Sequence, residues 1–199
     1  MTTGSQLSAQ DRILKLHQAG YRQEHPCTCG PSSVSLIAVA LGLEKKPEAA
    51  WLDPRFSRWM PVEQFTTQRG MALHEAQLTT ELVYPGLVEV SLRRAYPENL
   101  DLFLRDLEDS ASSPDQALLM NFAQDHLLSQ AFEGQGSPHF SPVAGYDPDM
   151  GRVLVADVDI EVSGPYWVPV QRAFEGMAFL NPAFQIPRGW LRIRRRKTP

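Results

Sequence analysis

Apolar positions recur at helical spacing through the first half of the chain and at strand spacing through the second. Residues 7 to 19 predict an amphipathic helix, with Ile13, Leu14, Leu16 and His17 near one side. Residues 30 to 43 are apolar on nearly every face (Val34, Leu36, Ile37, Val39, Leu41, Leu43), which predicts a helix buried all round and ended near Gly42. Residues 44 to 59 contain Pro47 and Pro54 and read as loop. Pro61 suits the first position of a helix over 61 to 69. Leu100, Phe103, Leu104 and Leu107 predict another over 97 to 108.

Strand patterns begin with Val88, Val90 and Leu92 on one face of 88 to 92. A continuous apolar run covers 117 to 122. Strands over 140 to 146 and 152 to 158 are joined by the turn Asp147-Pro-Asp-Met-Gly151. A short helix fits 168 to 178, and a last strand 190 to 196. Helices followed by an antiparallel meander make an α+β fold. The 199 residues are read as one domain, with a helical part over about 1–110 and a sheet part over about 111–199.

The composition is that of a globular protein, 43% hydrophobic and 21% charged. A net charge of −4 gives no support to nucleic-acid binding. Arg192, Arg194, Arg195, Arg196 and Lys197 form one basic cluster, read as the polar positions of the final strand rather than an anion-binding or membrane patch. No apolar run approaches the ~18 residues that cross a bilayer. No basic-then-apolar leader is visible, and the two cysteines, one residue apart, give no disulfide framework. Together these predict a reducing, cytoplasmic setting.

Candidate chemistry centres on Gln23-Glu-His-Pro-Cys27-Thr-Cys29-Gly30-Pro31-Ser-Ser33. A thiol at the mouth of a buried helix meets unpaired N–H groups and the positive end of the helix dipole, which favour thiolate. Cys29 is therefore the candidate nucleophile, and a structural buried cysteine is the plain alternative. Gly30 lets a substrate carbonyl approach the backbone. Cys27 is the rival thiol, and the Cys27/Cys29 pair could instead hold a soft metal ion or form a regulatory disulfide. His139 follows the loop Gly134-Gln-Gly-Ser-Pro138 and is the candidate base, with His17, His25, His74 and His126 as competitors. Asp157, at the end of the neighbouring strand, would orient it through Nδ1–H, and Asp159 is its rival. Gln23 and the Cys29 backbone N–H could supply an oxyanion hole. Asn121, Phe122 and Ser141 are candidates to line the substrate pocket, with core packing an equal account of Phe122.

Gln23…Cys29-Gly30…Ser33, His139-Phe-Ser-Pro-Val-Ala-Gly-Tyr146, Val153-Leu-Val-Ala-Asp157-Val158 and Pro165-Tyr-Trp-Val-Pro169 together resemble the phytochelatin synthases. The resemblance runs over about 20 to 196 and is weak in the middle. It implies a papain-like fold with a Cys29–His139–Asp157 triad. It also implies attack by Cys29 on the amide before the glycine of glutathione, and a γ-glutamylcysteinyl thioester released to water or to an amine. On the same footing it implies no bound cofactor, heavy-metal ions acting as thiolate complexes of the substrate, and a possible homodimer. The chain departs from that pattern at Asp159-Ile-Glu-Val-Ser163, where a basic residue is expected at Ile160 and an aromatic at Ser163. Asp159 and Glu161 would repel an anionic peptide, so hydrolysis is expected over elongation. A different small-peptide substrate, and a non-catalytic thiol metal binder, are the alternatives.

Overall fold

The structure, a computed structural model, describes residues 7–65, 70–131 and 133–197. Helix α1 (Ala9–Gln18) opens on a reciprocal cap, in which the Ser8 hydroxyl accepts from Asp11 N–H and Asp11 accepts from Ser8 N–H. Such a cap is worth about 1 kcal/mol. Helix α2 (Cys29–Ala40) buries every residue but Val39, as its all-round apolar pattern predicts. It ends at Gly42, whose φ of +75° permits the N–H of Gly42 to bond Val39 O and that of Leu43 to bond Ala38 O. A Cβ on Gly42 would also come within 2.7 Å of the Arg195 guanidinium.

The stretch expected as a helix over 61–69 forms a 3₁₀ turn at Val62–Gln64, and residues 66–69 lie outside the described residues. Helix α3 (Leu73–Val83) follows instead. Its paired threonines, poor helix formers, are accommodated because Thr79 Oγ1 donates to Glu75 O (2.8 Å) and Thr80 Oγ1 to Ala76 O (2.5 Å). Strand β1 (Val88–Arg94), helix α4 (Leu100–Ala111), strand β2 (Gln116–Ala123) and the short helix α5 (Gln124–Leu127) come next. Then come β3 (Pro138–Asp147), β4 (Arg152–Val155), β5 (Tyr166–Pro169), α6 (Val170–Ala178) and β6 (Gly189–Arg195).

The six strands form one antiparallel sheet in the order β1-β6-β2-β3-β4-β5. Strand β1 comes from the first half of the chain yet pairs with β6, so the sheet draws on both halves. Both faces are covered. Ile13, Leu36, Ile37, Trp51, Leu119, Phe140 and Leu191 pack on one face, and Phe103, Leu107, Phe122, Val143, Phe174 and Trp190 on the other. This explains why β2 reads as an unbroken apolar run: all eight of its residues are buried, alternating between two cores.

The fold is α+β and papain-like, a buried helix carrying Cys29 packed on an antiparallel sheet. Much of the basic cluster is tied into the protein. Arg195 and Arg196 donate to the carbonyls of Leu41 and Val88, and Arg192 approaches the buried Asp106 at 3.5 Å. No helix among the described residues is long and apolar enough to cross a membrane.

Candidate active site

Cys29 is the first residue of α2, directly after Thr28, whose carbonyl accepts the first helical bond from Ser32 N–H. The Thr28 hydroxyl accepts from His25 N–H (3.1 Å) and donates to His25 O (2.7 Å). That two-way bond folds residues 25–28 into the turn that presents Cys29 at the helix mouth. The helix is fixed to the sheet near the same point, because Ser33 Oγ donates to Phe140 O (3.0 Å). Phe140 is the neighbour of His139, so this contact sets thiol and imidazole at a fixed separation. The Cys29 sulfur lies near enough to the His139 ring to favour its charged form.

His139 lies at the start of β3, 4% exposed, and its Nε2 stands 2.7 Å from Asp157 Oδ1. The ring is therefore turned opposite to the expectation from sequence, which put Asp157 on Nδ1. Burial disfavours a charged ring. The Asp157 carboxylate and the Cys29 sulfur outweigh it and push the His139 pKa up to about 10. Burial would likewise raise Asp157, yet the cationic ring and its hydrogen bonds lower it to about 2.

Asp157 reaches His139 because β4 stops early. The strand expected over 152–158 ends at Val155. A bulge between Val143 and Gly145 shifts the β3–β4 register, and Ala156 N–H makes the last cross-strand bond, to Pro142 O (3.0 Å). Continued in register, the ladder would set Asp159 opposite His139. With the strand broken off, the Asp159 carboxylate accepts instead from Gln124 Nε2 (3.1 Å) and from Glu161 N–H (3.0 Å).

Asp157 is fully buried and clamped by groups that the sequence did not reveal. Tyr166 OH donates to Oδ2 (2.8 Å) and Asp159 N–H to Oδ1 (3.0 Å), with Gln124 Nε2 at 3.5 Å. Its backbone carbonyl lies 2.6 Å from His17 Nε2. His17 is wholly buried, and burial lowers its pKa, which suits a neutral ring donating to that carbonyl. Arg188, also fully buried, donates to the carbonyls of Gln135 and Gly136 and so holds the loop that delivers His139. A buried guanidinium on a loop carbonyl has no local sequence signature.

Gln23 is 8% exposed, and its backbone N–H donates to Val158 O (2.9 Å), tying the loop before α2 to the residue after Asp157. Its Nε2 makes a long 3.3 Å bond to Pro26 O, and its Oε1 is buried without a partner. Gly30 faces Met71 and Phe140, each 3.6 Å from where a Cβ would stand. Asn121 Nδ2 donates to His139 O (3.0 Å), and Ser141 Oγ to Phe140 O (2.8 Å). Phe122 packs edge-on against the His139 ring at 5.6 Å.

Cys27 is a free, half-buried thiol. Among the other histidines, His25 is exposed, His74 meets Phe184 edge to face, and His126 lies 3.6 Å from Glu175. Among the described residues no group of three or more His, Cys, Asp and Glu side chains could hold a metal ion. A surface hollow of about 770 Å³ lies beside Glu89, Asp115 and Arg194 and shares no residue with this cluster.

The family model described as phytochelatin synthase matches residues 2–190. Curated relatives include glutathione gamma-glutamylcysteinyltransferase 1 of Triticum aestivum, 26% identical over 88% of this chain and 34% of its own length. The enzyme of the same printed name from Lotus japonicus is 24% identical over 87% of this chain and 34% of its own. The glutathione gamma-glutamylcysteinyltransferase of Schizosaccharomyces pombe is 23% identical over 91% and 43%. The chain thus spans about a third of the length of the first two. Among solved structures, a double glycine motif protease from an AMS/PCAT transporter, in complex with its leader peptide, aligns with a TM-score of 0.45. It is 12% identical, over 88% of this chain and 89% of that one.

Proposed function

This chain belongs to the phytochelatin synthase family, and from that premise we propose that it carries out cysteine-dependent acyl transfer through a thioester. The acyl donor in this reading is glutathione or a related small γ-glutamylcysteinyl peptide. The observation that carries it is a buried imidazole held between a helix-mouth thiol and a clamped carboxylate. A ring with a pKa raised to about 10 stays protonated at neutral pH, which stabilises a thiolate beside it.

The Cys29 thiolate attacks the amide carbonyl carbon. The carbonyl oxygen takes the electron pair, with the Cys29 N–H and a reoriented Gln23 amide as its donors. As the oxyanion collapses the C–N bond breaks, and the His139 imidazolium gives its proton to the leaving amine. His139, now neutral, takes a proton from water as that water adds to the thioester. The acyl product leaves as a carboxylic acid, which gives its proton to solvent, and the thiolate–imidazolium pair is restored. An amine in place of water would give a new amide.

In this reading Gly30, Asn121, Phe122 and Ser141 line the substrate pocket, and Asn121, Phe122 and Ser141 also brace the histidine strand. In this reading the reaction uses no cofactor, heavy-metal ions enter as thiolate complexes of the substrate, and the protein works in a reducing compartment.

A second reading keeps the chemistry and changes the peptide. It is favoured by the acidic run at Asp159 and Glu161, which suits an anionic peptide poorly. Mass spectrometry of the protein with glutathione, with and without Cd²⁺, beside Cys29→Ser, tests the first reading. An adduct on Cys29 with free glycine and γ-Glu-Cys is expected. Absence of glycine under every condition would remove glutathione as donor.

A further inference from the structure

The proposed reaction uses one buried imidazole, and the fold holds a second. His17, in the last turn of α1, is wholly buried. Its Nε2 lies 2.6 Å from the Asp157 carbonyl oxygen, which can only accept, so Nε2 carries the proton. In the neutral ring Nδ1 is then a bare acceptor, and it is buried with no hydrogen-bond partner among the described residues. Packing alone does not account for such a ring, because an apolar side chain would fill the space with no orphaned nitrogen. The bond to Asp157 does account for it.

That bond falls where the backbone has lost its sheet partner. Strand β4 stops at Val155, and Ala156 N–H makes the last bond to β3, so Asp157 lies beyond the ladder. On its far side Val158 O accepts from Gln23 N–H (2.9 Å). Between those two points the carbonyl of Asp157 is held by His17, and among the described residues no backbone N–H donates to it. The same turn of α1 also reaches the loop before α2, since Arg22 donates to His17 O (2.9 Å) and Gln23 follows Arg22 in the chain. His17, Arg22, Gln23, Val158 and Asp157 thus close a circuit of contacts. It joins the proposed oxyanion donor to the carboxylate that orients His139. Displacing a catalytic group by about 1 Å can cost on the order of 100-fold in rate, so the backbone under Asp157 matters as much as its carboxylate.

We propose that His17 is a positioning residue for the acyl transfer, its Nε2–H fixing the Asp157 backbone so that the carboxylate stays in line with His139. The effect on rate rests on the thioester reading. The effect on His139 does not, and the two are measured separately.

A glutamine amide nitrogen stands as many bonds from Cα as Nε2 does, so His17→Gln keeps the donor. His17→Met has the same reach and no donor. In His17→Met the NMR midpoint of His139, near 10 in the wild type, should fall by about one pH unit or more. The kcat for glycine release from glutathione should fall about tenfold or more, with KM held within about twofold. His17→Gln should bring the midpoint back to within about half a pH unit and kcat to within about threefold. A purely structural role predicts a lower unfolding midpoint in His17→Met with His139 and kcat unmoved, and that result overturns the proposal. A folded His17→Gln that behaves like His17→Met overturns it too.

Should His17→Met fail to fold, the wild type decides. In protein carrying ¹⁵N-histidine and ¹³C-carbonyl labels, His17 should be the Nε2–H tautomer, with a scalar coupling from Nε2 across the hydrogen bond to the Asp157 carbonyl carbon. An Nδ1–H tautomer, or no coupling, overturns the proposal. If the wild type releases no glycine, glutathione is lost as donor, and the His139 midpoints of the two variants still support or overturn the role of His17.

Discussion

Replacing Asp157 by Asn removes the charge that holds His139 protonated while keeping the shape of the side chain. The His139 pKa stands near 10 against an ordinary 6.5. The gap, at 1.36 kcal/mol per pH unit, is on the order of 5 kcal/mol of preference for the charged ring. Much of it comes from Asp157, acting against a burial that by itself would lower the ring. In Asp157→Asn, burial should prevail and the midpoint should fall to 6.5 or below.

The assay is an NMR titration of the His139 Cε1 proton, assigned against a His139→Gln variant. The same change should lower kcat/KM by about 100-fold or more, through loss of the positioned acid. Stability carries a matching signature. A raised histidine contributes stability that is full below pH 6.5 and is lost as pH climbs through about 10. A depressed carboxyl contributes stability that is full above its unfolded pKa of about 3.8 and is lost as pH falls through about 2. The stability gap between wild type and Asp157→Asn should therefore be widest between about pH 4 and 6.5, narrowing on both sides. A His139 midpoint still above 8 in the variant would refute the reasoning.

Tyr166→Phe deletes one charge-assisted bond to Asp157 and leaves the donors His139 and Asp159 N–H in place. It should cost about 1.5–3 kcal/mol by urea unfolding at pH 7, less as Asp157 protonates toward pH 2, and an unchanged unfolding midpoint would count against the clamp. Gly189→Ala would set a Cβ 2.1 Å from Arg93 O at a φ of +154°, so the β1–β6 pairing must shift. A loss of about 2–4 kcal/mol is expected by the same method, and a loss under 1 would mean that the edge strand relaxes freely.

The two cores were legible wherever one residue reports on its own surroundings. The all-round apolar pattern of α2 and the unbroken run of β2 each mark an element covered on every side. Helix α3 was not legible, because its threonine pair lowers local propensity and is made good by hydroxyl bonds to its own preceding turn. Strand β5 was missed for another reason. Tyr166–Pro169 has strand character only as the outer partner of β4, with Val153 opposite Val168.

The site divides along the same line. Cys29 was readable because a thiol at the head of a buried helix is a local pattern, and His139 because it follows a glycine-rich loop into a strand. What joins them is not local. Ser33 reaches 107 positions along the chain to Phe140, and His17 reaches 140 positions to the carbonyl of Asp157. The choice of Asp157 over Asp159 turns on a bulge at Val143/Gly145 and on a strand that stops at Val155. Both aspartates have the same alternation and much the same neighbours in sequence. Only the broken ladder gives one to the histidine and leaves the other to Gln124 and the Glu161 N–H.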